Sequence, residues 1–183
     1  MENQEFDMTK MIEKNKRIVE RYPILKPNCI LENYDYTYTD LDRVCLGWRD
    51  IFLEACDSIM SHLNDAGVDI EQFHFFDIKE KWGALNVEVC GYDDDVIENI
   101  LYNDMYVRSL LICPSCGKPT KCVTEGYTLY LCPDCAVESG LDYNWLIAED
   151  VPVIKEHNYE TGEETEKRTK YDQQFLLQWV GEQ

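Results

Sequence analysis

The chain has 183 residues, of which 45% are apolar and 12% aromatic, so it is long enough for one core with a small metal-stapled appendage. Its 17 basic residues against 36 acidic ones leave a formal net charge of −19 at pH 7. Because binding to a nucleic-acid backbone needs clustered Lys and Arg, this composition argues against direct nucleic-acid binding.

The first predicted helix covers residues 8–22 and ends at Pro23. Its apolar side chains recur at helical spacing, with Lys14, Lys16 and Arg17 between them. A basic amphipathic helix can lie on a membrane surface, but three cations in so acidic a chain favour packing on the core. The apolar positions are Met8, Met11, Ile12, Ile18, Val19 and Tyr22.

A second helix is predicted after Gly47-Trp48, with a stop at Gly67, and it would cover the β-hairpin that follows. Its apolar positions are Phe52, Ala55, Ile59 and Leu63. In the hairpin, residues 73–82 form the first arm, the chain turns near Gly83, and residues 85–89 return. Alternation places Leu85, Val87 and Val89 on one face, and we expect Phe76 to share a face with Ile78.

Basic residues at the tip of this hairpin are candidate binding groups. Lys79 and Lys81 are the only bases between Arg49 and Arg108, and Trp82 follows them. The two lysines can bind an anion, or they can be ordinary solvent-exposed charges on an edge strand.

Three consecutive acids, Asp93, Asp94 and Asp95, precede a third predicted helix that runs to about Ser109. Three adjacent carboxylates can suggest a divalent-cation site. At a helix start they also complement the helix dipole, and the remaining ligands of a calcium loop are absent.

The strongest motif is a pair of Cys-x-x-Cys sequences. The first pair is Cys113 and Cys116, with Gly117 after it, and the second pair is Cys132 and Cys135. Two residues between ligands let each pair bind one metal from a tight turn, and two short strands in 120–131 would bring the pairs together. This spacing predicts a structural zinc ribbon, the alternatives being four free thiols or a redox pair.

The remaining cysteines and the tail carry weaker signals. Nine cysteines, an odd number, fit a reducing compartment better than a disulfide framework, and Cys122 is close enough in sequence to replace a zinc ligand. Residues 171–180 predict a C-terminal helix that closes the domain or binds a partner. Its apolar face is Phe175, Leu176, Trp179 and Val180.

Neither a targeting sequence nor an enzyme motif is recognisable. Residues 1–5 are acidic, and no stretch approaches the ~18 apolar residues that span a bilayer, so we expect a cytoplasmic protein without membrane contact. The chain lacks a phosphate-binding glycine loop, a nucleophile elbow and an H-E-x-x-H pair. Its three histidines are too scattered for a recognisable catalytic zinc site.

The Gly-Trp pair at 47–48, the strand at 79–85 and the two Cys-x-x-Cys turns follow one another in an order that resembles a family of small phage and prophage zinc-ribbon proteins. The match spans roughly residues 45–137, and Asn86 stands where such sequences usually have Arg. The resemblance implies a zinc-binding α+β protein of viral or mobile-element origin in a bacterial host cell, and it brings no assigned reaction. The matching motifs are Gly47-Trp48, the run Lys79-Glu80-Lys81-Trp82-Gly83-Ala84-Leu85, Cys113-Pro114-Ser115-Cys116-Gly117 and Cys132-Pro133-Asp134-Cys135.

The sequence thus predicts an α+β fold in which helices pack on a small antiparallel sheet, with an inserted four-cysteine zinc ribbon and a C-terminal helix. We assign 1–110 to the core, 111–137 to the ribbon and 138–183 to an extension that packs on the core.

Three functional hypotheses remain. The first is a non-enzymatic protein whose acidic surface inhibits or redirects a basic, nucleic-acid-handling or defence protein of the host. One form of this hypothesis is imitation of nucleic acid, and the alternative is that the acidity serves only solubility. The second is a ribbon that recruits nucleic acid or a transcription complex. The third is an enzyme that uses residues 79–82 with a neighbouring acid.

Overall fold

The structure, a computed structural model, describes residues 7–27 and 34–146, together with the backbone of 154–157 and 164–167. The helices are α1 (Met8–Arg21), α2 (Arg49–Asp65), α3 (Asp95–Asn99), a π-helix (Ile100–Val107), α4 (Arg108–Leu110) and α5 (Pro133–Ser139). The strands are β1 (Phe73–Lys81), β2 (Ala84–Gly91), β3 (Cys122–Thr124), β4 (Tyr130–Leu131), β5 (Tyr143–Trp145), β6 (Ile154–His157) and β7 (Glu164–Lys167). Short 3₁₀ turns lie at Pro23–Leu25, Asp40–Arg43, Leu46–Trp48 and Ile70–Gln72.

Helix α1 forms as its sequence predicts. The Asp7 side chain caps its start by accepting from the Lys10 N–H at 3.2 Å, and Pro23 opens the next turn. A buried asparagine on this helix, Asn15, donates to the Tyr36 carbonyl at 2.9 Å and so ties α1 to the segment before Asp40.

The main core lies between α2 and the β1–β2 hairpin. Each of the four predicted apolar positions of α2 is buried, and the Phe52 ring lies 5.2 Å from that of Phe75 on β1. The helix ends before Gly67, which has φ +68° and supplies the left-handed residue that a helix stop favours. The predicted helix and its stop are therefore confirmed.

A β-bulge changes the faces of strand β1. Phe75 pairs with Val89 and Asp77 pairs with Glu88, so Phe76 has no opposite residue. The bulge resets the alternation, and Phe76 is 68% exposed while Ile78 is buried. The expectation that Phe76 and Ile78 share a face was wrong for this reason.

The hairpin turns through Trp82 and Gly83, both of which have positive φ, 57° and 79°. Lys81 pairs with Ala84 across this two-residue loop, which is the geometry of a type I′ turn. The predicted turn near Gly83 is confirmed. An exposed tryptophan in the left-handed region is uncommon, and the Glu80 carboxylate supports the loop by accepting from the Gly83 N–H at 2.7 Å.

The third predicted helix is confirmed as a continuous run from Asp95 to Leu110, although its middle is π-helical. Asp94 is its N-cap. The cysteine motif then enters a three-stranded antiparallel sheet of order β4-β3-β5, in which the last strand comes from the segment after residue 137. The ribbon has its own small core, formed by Cys113, Cys122, Leu131, Cys132 and Ala136.

The α+β class, the small antiparallel sheets and the clustered cysteines are as the sequence predicts. The predicted C-terminal helix at 171–180 lies outside the described residues, as does Cys29. Within the described part of the chain, no helix combines the length and the apolar character that crossing a membrane requires.

Candidate metal centre

Four thiols converge at the heart of the ribbon. The sulfur atoms of Cys113, Cys116, Cys132 and Cys135 all lie within 4.8 Å of one another, and the Cys116 and Cys132 sulfurs are 3.5 Å apart. Sulfurs bound at about 2.3 Å to one tetrahedral zinc would stand about 3.8 Å apart. The four cysteines can therefore hold a metal ion. They are the only such group of His, Cys, Asp or Glu side chains in the described residues.

The first Cys-x-x-Cys pair sits in a tight knuckle. The Gly117 N–H donates to the Cys113 carbonyl at 2.9 Å, and the Cys113 N–H donates to the Lys118 carbonyl at 2.8 Å. Gly117 has φ +77°, a conformation that glycine adopts without steric cost. These bonds aim both sulfurs of the pair at the same point.

The second pair uses a helix instead of a glycine turn. Cys132 is the N-cap of α5, Pro133 occupies its first position, and the Ala136 N–H donates to the Cys132 carbonyl at 2.9 Å. Ala136 is fully buried in the ribbon core. This explains why alanine, and not glycine, follows the second pair.

As protonated thiols, the four cysteines would be poorly suited to their surroundings. Burial raises the pKa of Cys116, and it raises that of Cys135 strongly together with the neighbouring thiols. Burial also opposes ionisation of Cys113, but backbone N–H groups, that of Cys132 first, outweigh it and lower the pKa. A divalent cation would resolve this conflict, since a coordinating thiol is deprotonated outright.

Cys122 is a near neighbour that stays outside the centre. It is fully buried in the ribbon core, and burial followed by the charge of Cys132 raises its pKa. Its sulfur is not among the four that converge, so this geometry assigns it to packing.

The first cysteine turn, residues 113–117, packs directly on the main core. The Gly47 N–H donates to the Pro114 carbonyl at 2.8 Å, and the Trp48 indole Nε1–H donates to the Ile112 carbonyl at 2.7 Å. A Cβ on Gly47 would lie 2.0 Å from the Cys113 carbonyl oxygen, so only glycine lets the two backbones meet. Trp48 is fully buried beneath this contact.

A second contact joins the tip of the β1–β2 hairpin to the ribbon. A Cβ on Gly83 would lie 2.6 Å from the Tyr130 ring, and the Tyr127 hydroxyl donates to the Glu80 carboxylate. The ribbon thus contacts the core at both the start of α2 and the hairpin turn.

Carboxylates of neighbouring residues neutralise part of the predicted basic site on the hairpin. The Lys79 ammonium donates to the Asp77 carboxylate, and its Nζ lies 3.9 Å from Glu88 Oε1. Lys81 is exposed and Trp82 is 75% exposed at the turn. The arrangement leaves Lys79 engaged with acids, while Lys81 and Trp82 form a solvated tip.

The three aspartates before α3 do not converge on a cation site. Asp94 Oδ1 accepts from the backbone N–H of Val96 and Ile97 at 3.1 and 3.0 Å. Its Oδ2 lies 2.8 Å from His62 Nε2 and accepts from the Tyr92 hydroxyl at 2.7 Å. These contacts, that with Ile97 first, lower the pKa of Asp94 to about 2. Asp93 and Asp95 are exposed beside it, so the group serves the helix start.

The buried carboxyl of Asp40 is a feature that the sequence did not reveal. No sequence signal distinguishes this acid from its exposed neighbour Asp42. Only the tertiary packing buries it, and burial raises the pKa of Asp40 to about 6, although Arg43 opposes the shift.

Comparison of the chain with protein-family models, with curated proteins and with solved structures finds no match.

Proposed function

We propose that this chain is a non-enzymatic zinc-binding interaction protein of phage or mobile-element origin. In this proposal its acidic surface binds a basic, nucleic-acid-handling or defence protein of a bacterial host and inhibits or redirects that protein. The zinc ion is structural and holds the ribbon on the core.

The observation that carries the zinc assignment is the closed set of four convergent thiols. Thiolate ligands favour zinc or iron–sulfur chemistry over the hard cations, and a Cys₄ set around one ion is the usual structural zinc site. Four protein ligands leave no coordination position for water or substrate, which a catalytic zinc needs. The first cysteine turn packs on Gly47 and Trp48, so an ion bound there would stabilise the contact between the ribbon and the core.

The charge distribution supports a basic partner. Residues 63–112 contain eleven acidic and three basic residues, a balance of −8, while the ribbon at 113–136 contains two of each. Seven of the cations lie within ion-pair distance of carboxylates in the described residues, and the acidic excess remains as the net charge that a basic partner would meet. The paired cations are Lys10, Arg17, Arg43, Arg49, Lys79, Arg108 and Lys118.

A ribbon that recruits nucleic acid or a transcription complex is the second candidate. The ribbon offers only Lys118 and Lys121, and Lys118 Nζ lies 2.7 Å from the Asp134 carboxylate. We therefore rank nucleic-acid recruitment below protein binding. Mobility-shift assays with single- and double-stranded DNA and RNA separate the two, because strong direct binding contradicts the acidic-surface proposal.

Native mass spectrometry tests the metal. We expect one zinc per chain in the purified protein and its loss in Cys132→Ser, whereas the matched variant Cys122→Ser keeps it. An iron–sulfur absorbance, or full zinc occupancy in Cys132→Ser, would contradict the assignment.

Affinity capture tests the partner. The tagged protein, incubated with nuclease-treated bacterial lysate, should retain a basic nucleic-acid-handling or defence protein at low salt and release it at high salt, since the attraction is screened. Retention that does not depend on salt, or capture of nucleic acid alone, would overturn the proposal.

A further inference from the structure

A groove of about 630 Å³ opens on the outer side of the metal centre, between α5 and β5. Its lining includes the two less buried of the four convergent cysteines, Cys116 and Cys135. Its walls include Val137 and Glu138 of α5, and Tyr143 and Trp145 of β5. The groove is therefore built by the ribbon and by the strand that follows it.

The walls carry apolar surface that the described fold leaves in solvent. Val137 is 68% exposed and Trp145 is 59% exposed. The rings of Tyr143 and Trp145 stand edge to face, with centroids 6.3 Å apart and planes at 73°. Two rings at this angle form a corner in which a cation can meet an aromatic face, and tryptophan is the strongest partner for such a contact.

The electrostatics of the groove also favour a cation. Four thiolates around one divalent ion carry a net charge of −2. Glu138 adds an exposed carboxylate, while Lys118 on the rim is neutralised by Asp134 at 2.7 Å. An anion would face this negative field, and an uncharged ligand would gain nothing from it.

We propose that this groove receives an arginine or lysine side chain from a basic segment of the partner protein. The guanidinium or ammonium group lies against the Trp145 ring near Glu138, and its aliphatic stem packs on Val137. The inference rests on the proposed function, since it names the chemistry by which a basic partner is held. It adds a specific anchor to the long-range attraction of the acidic surface.

The test uses the zinc-loaded full chain and a hexa-arginine peptide, with hexa-citrulline as the uncharged control of nearly the same shape. In ¹H–¹⁵N spectra we expect the Trp145 indole signal to shift on addition of hexa-arginine and to stay unchanged with hexa-citrulline. Trp145→Ala should weaken binding about tenfold, which corresponds to about 1.4 kcal/mol. Glu138→Gln should weaken it in the same direction.

The matched control is Phe76→Ala, which removes an aromatic side chain of similar exposure, 68% against 59% for Trp145, that does not line the groove. It should bind the peptide as the wild type does. Trp145→Phe, which keeps an aromatic face, should retain most of the affinity and guards against a folding defect. If the Trp145 indole signal does not shift on addition of hexa-arginine, the inference is wrong. This holds whether the peptide fails to bind or another segment of the chain covers the groove.

The two proposals fail separately. If Trp145→Ala still captures the salt-sensitive partner as tightly as the wild type, the groove is wrong and the acidic-surface proposal stands. If no basic partner is captured although hexa-arginine binds at Trp145, the groove is a cation site and the proposed function is wrong.

Discussion

At the scale of single residues, Asp40 is the most unusual group in the fold. Its side chain is almost fully buried, and its Oδ1 accepts from the Arg43 guanidinium at 3.4 Å. Its Oδ2 has no hydrogen-bond partner among the described residues. A buried carboxylate with an unsatisfied oxygen is costly, and burial accordingly raises the pKa of Asp40 to about 6.

Asp40 therefore predicts a particular pH dependence of stability. Its ordinary pKa is about 3.9, so between about pH 4 and pH 6 the folded chain keeps a proton that the unfolded chain gives up. The free energy of unfolding should fall as the pH rises through this window. Asp40→Asn should raise that free energy by about 2 kcal/mol at pH 7 and leave it little changed at pH 4.

Urea unfolding at the two pH values measures this difference. Asp65→Asn, which alters an exposed carboxylate at the end of α2, is the control and should show the wild-type pH dependence. Equal stability of Asp40→Asn and the wild type at pH 7 would show that Asp40 carries no such burial cost.

Gly47 gives a second prediction at this scale. Its substitution by alanine would place Cβ 2.0 Å from the Cys113 carbonyl oxygen and 2.5 Å from the Gly117 nitrogen. Both contacts are backbone, so the knuckle must move away from the core. We expect Gly47→Ala to lower the free energy of unfolding by about 3 kcal/mol, at the upper end of overpacking effects.

The control for Gly47 lies inside the ribbon. Gly126 has φ +78°, but a Cβ there meets nothing within 4 Å. Gly126→Ala should cost only the left-handed penalty, about 1 kcal/mol. Chemical denaturation of both variants measures the difference, and equal losses would show that the Gly47 contact is not a tight one.

At the scale of elements, periodicity and spacing were enough to predict α1, α2, the hairpin and the paired cysteine turns. These signals are local: a helical stripe, an alternating strand and a Cys-x-x-Cys turn each need only a few neighbours in sequence. The bulge at Phe76 and the π-helix at Ile100–Val107 were missed because each inserts one residue out of phase, which leaves composition unchanged.

The contacts between elements could not be predicted. Gly47 and Trp48 form a recognisable motif, but nothing in their sequence shows that they contact the cysteine turn at residues 113–117, more than sixty positions later. The same holds for Gly83 against the Tyr130 ring. Such contacts depend on where whole elements come to lie, and a single sequence carries no record of that.

Removal of the proposed zinc ion should act first on the ribbon. Zinc supplies on the order of 10 kcal/mol of folding free energy in small zinc domains, and apart from the ligand cysteines the buried ribbon core consists of only Cys122, Leu131 and Ala136. We expect a strong chelator to expose residues 113–136 to protease, while the α2–hairpin core, which has its own buried cluster, remains folded.

Limited proteolysis followed by mass spectrometry locates the cuts. Cys132→Ser should be cut in the ribbon without chelator, and Cys122→Ser only after its addition. A ribbon that resists protease in the chelated wild type would mean that packing on Gly47 and Trp48, and not the metal, holds it.

At the scale of the whole molecule, charge is the dominant property. The net charge of −19 is spread over a chain in which several cations are already matched to carboxylates. Folding brings the remaining acids closer together than they are in the unfolded chain. Self-repulsion of this kind destabilises the compact state, and dissolved salt screens it.

Salt should therefore act in opposite directions on folding and on binding. Raising sodium chloride from about 20 mM to about 500 mM, where the Debye length falls to a few ångströms, should raise the melting temperature of the isolated protein and weaken capture of the proposed basic partner. Thermal unfolding and capture, measured in the same buffers, give the two slopes. If the melting temperature fell together with capture, loss of the partner at high salt would reflect loss of the fold, and the electrostatic account of binding would lose its support. Opposite slopes would place the salt sensitivity at the proposed interface between the acidic surface and a basic partner.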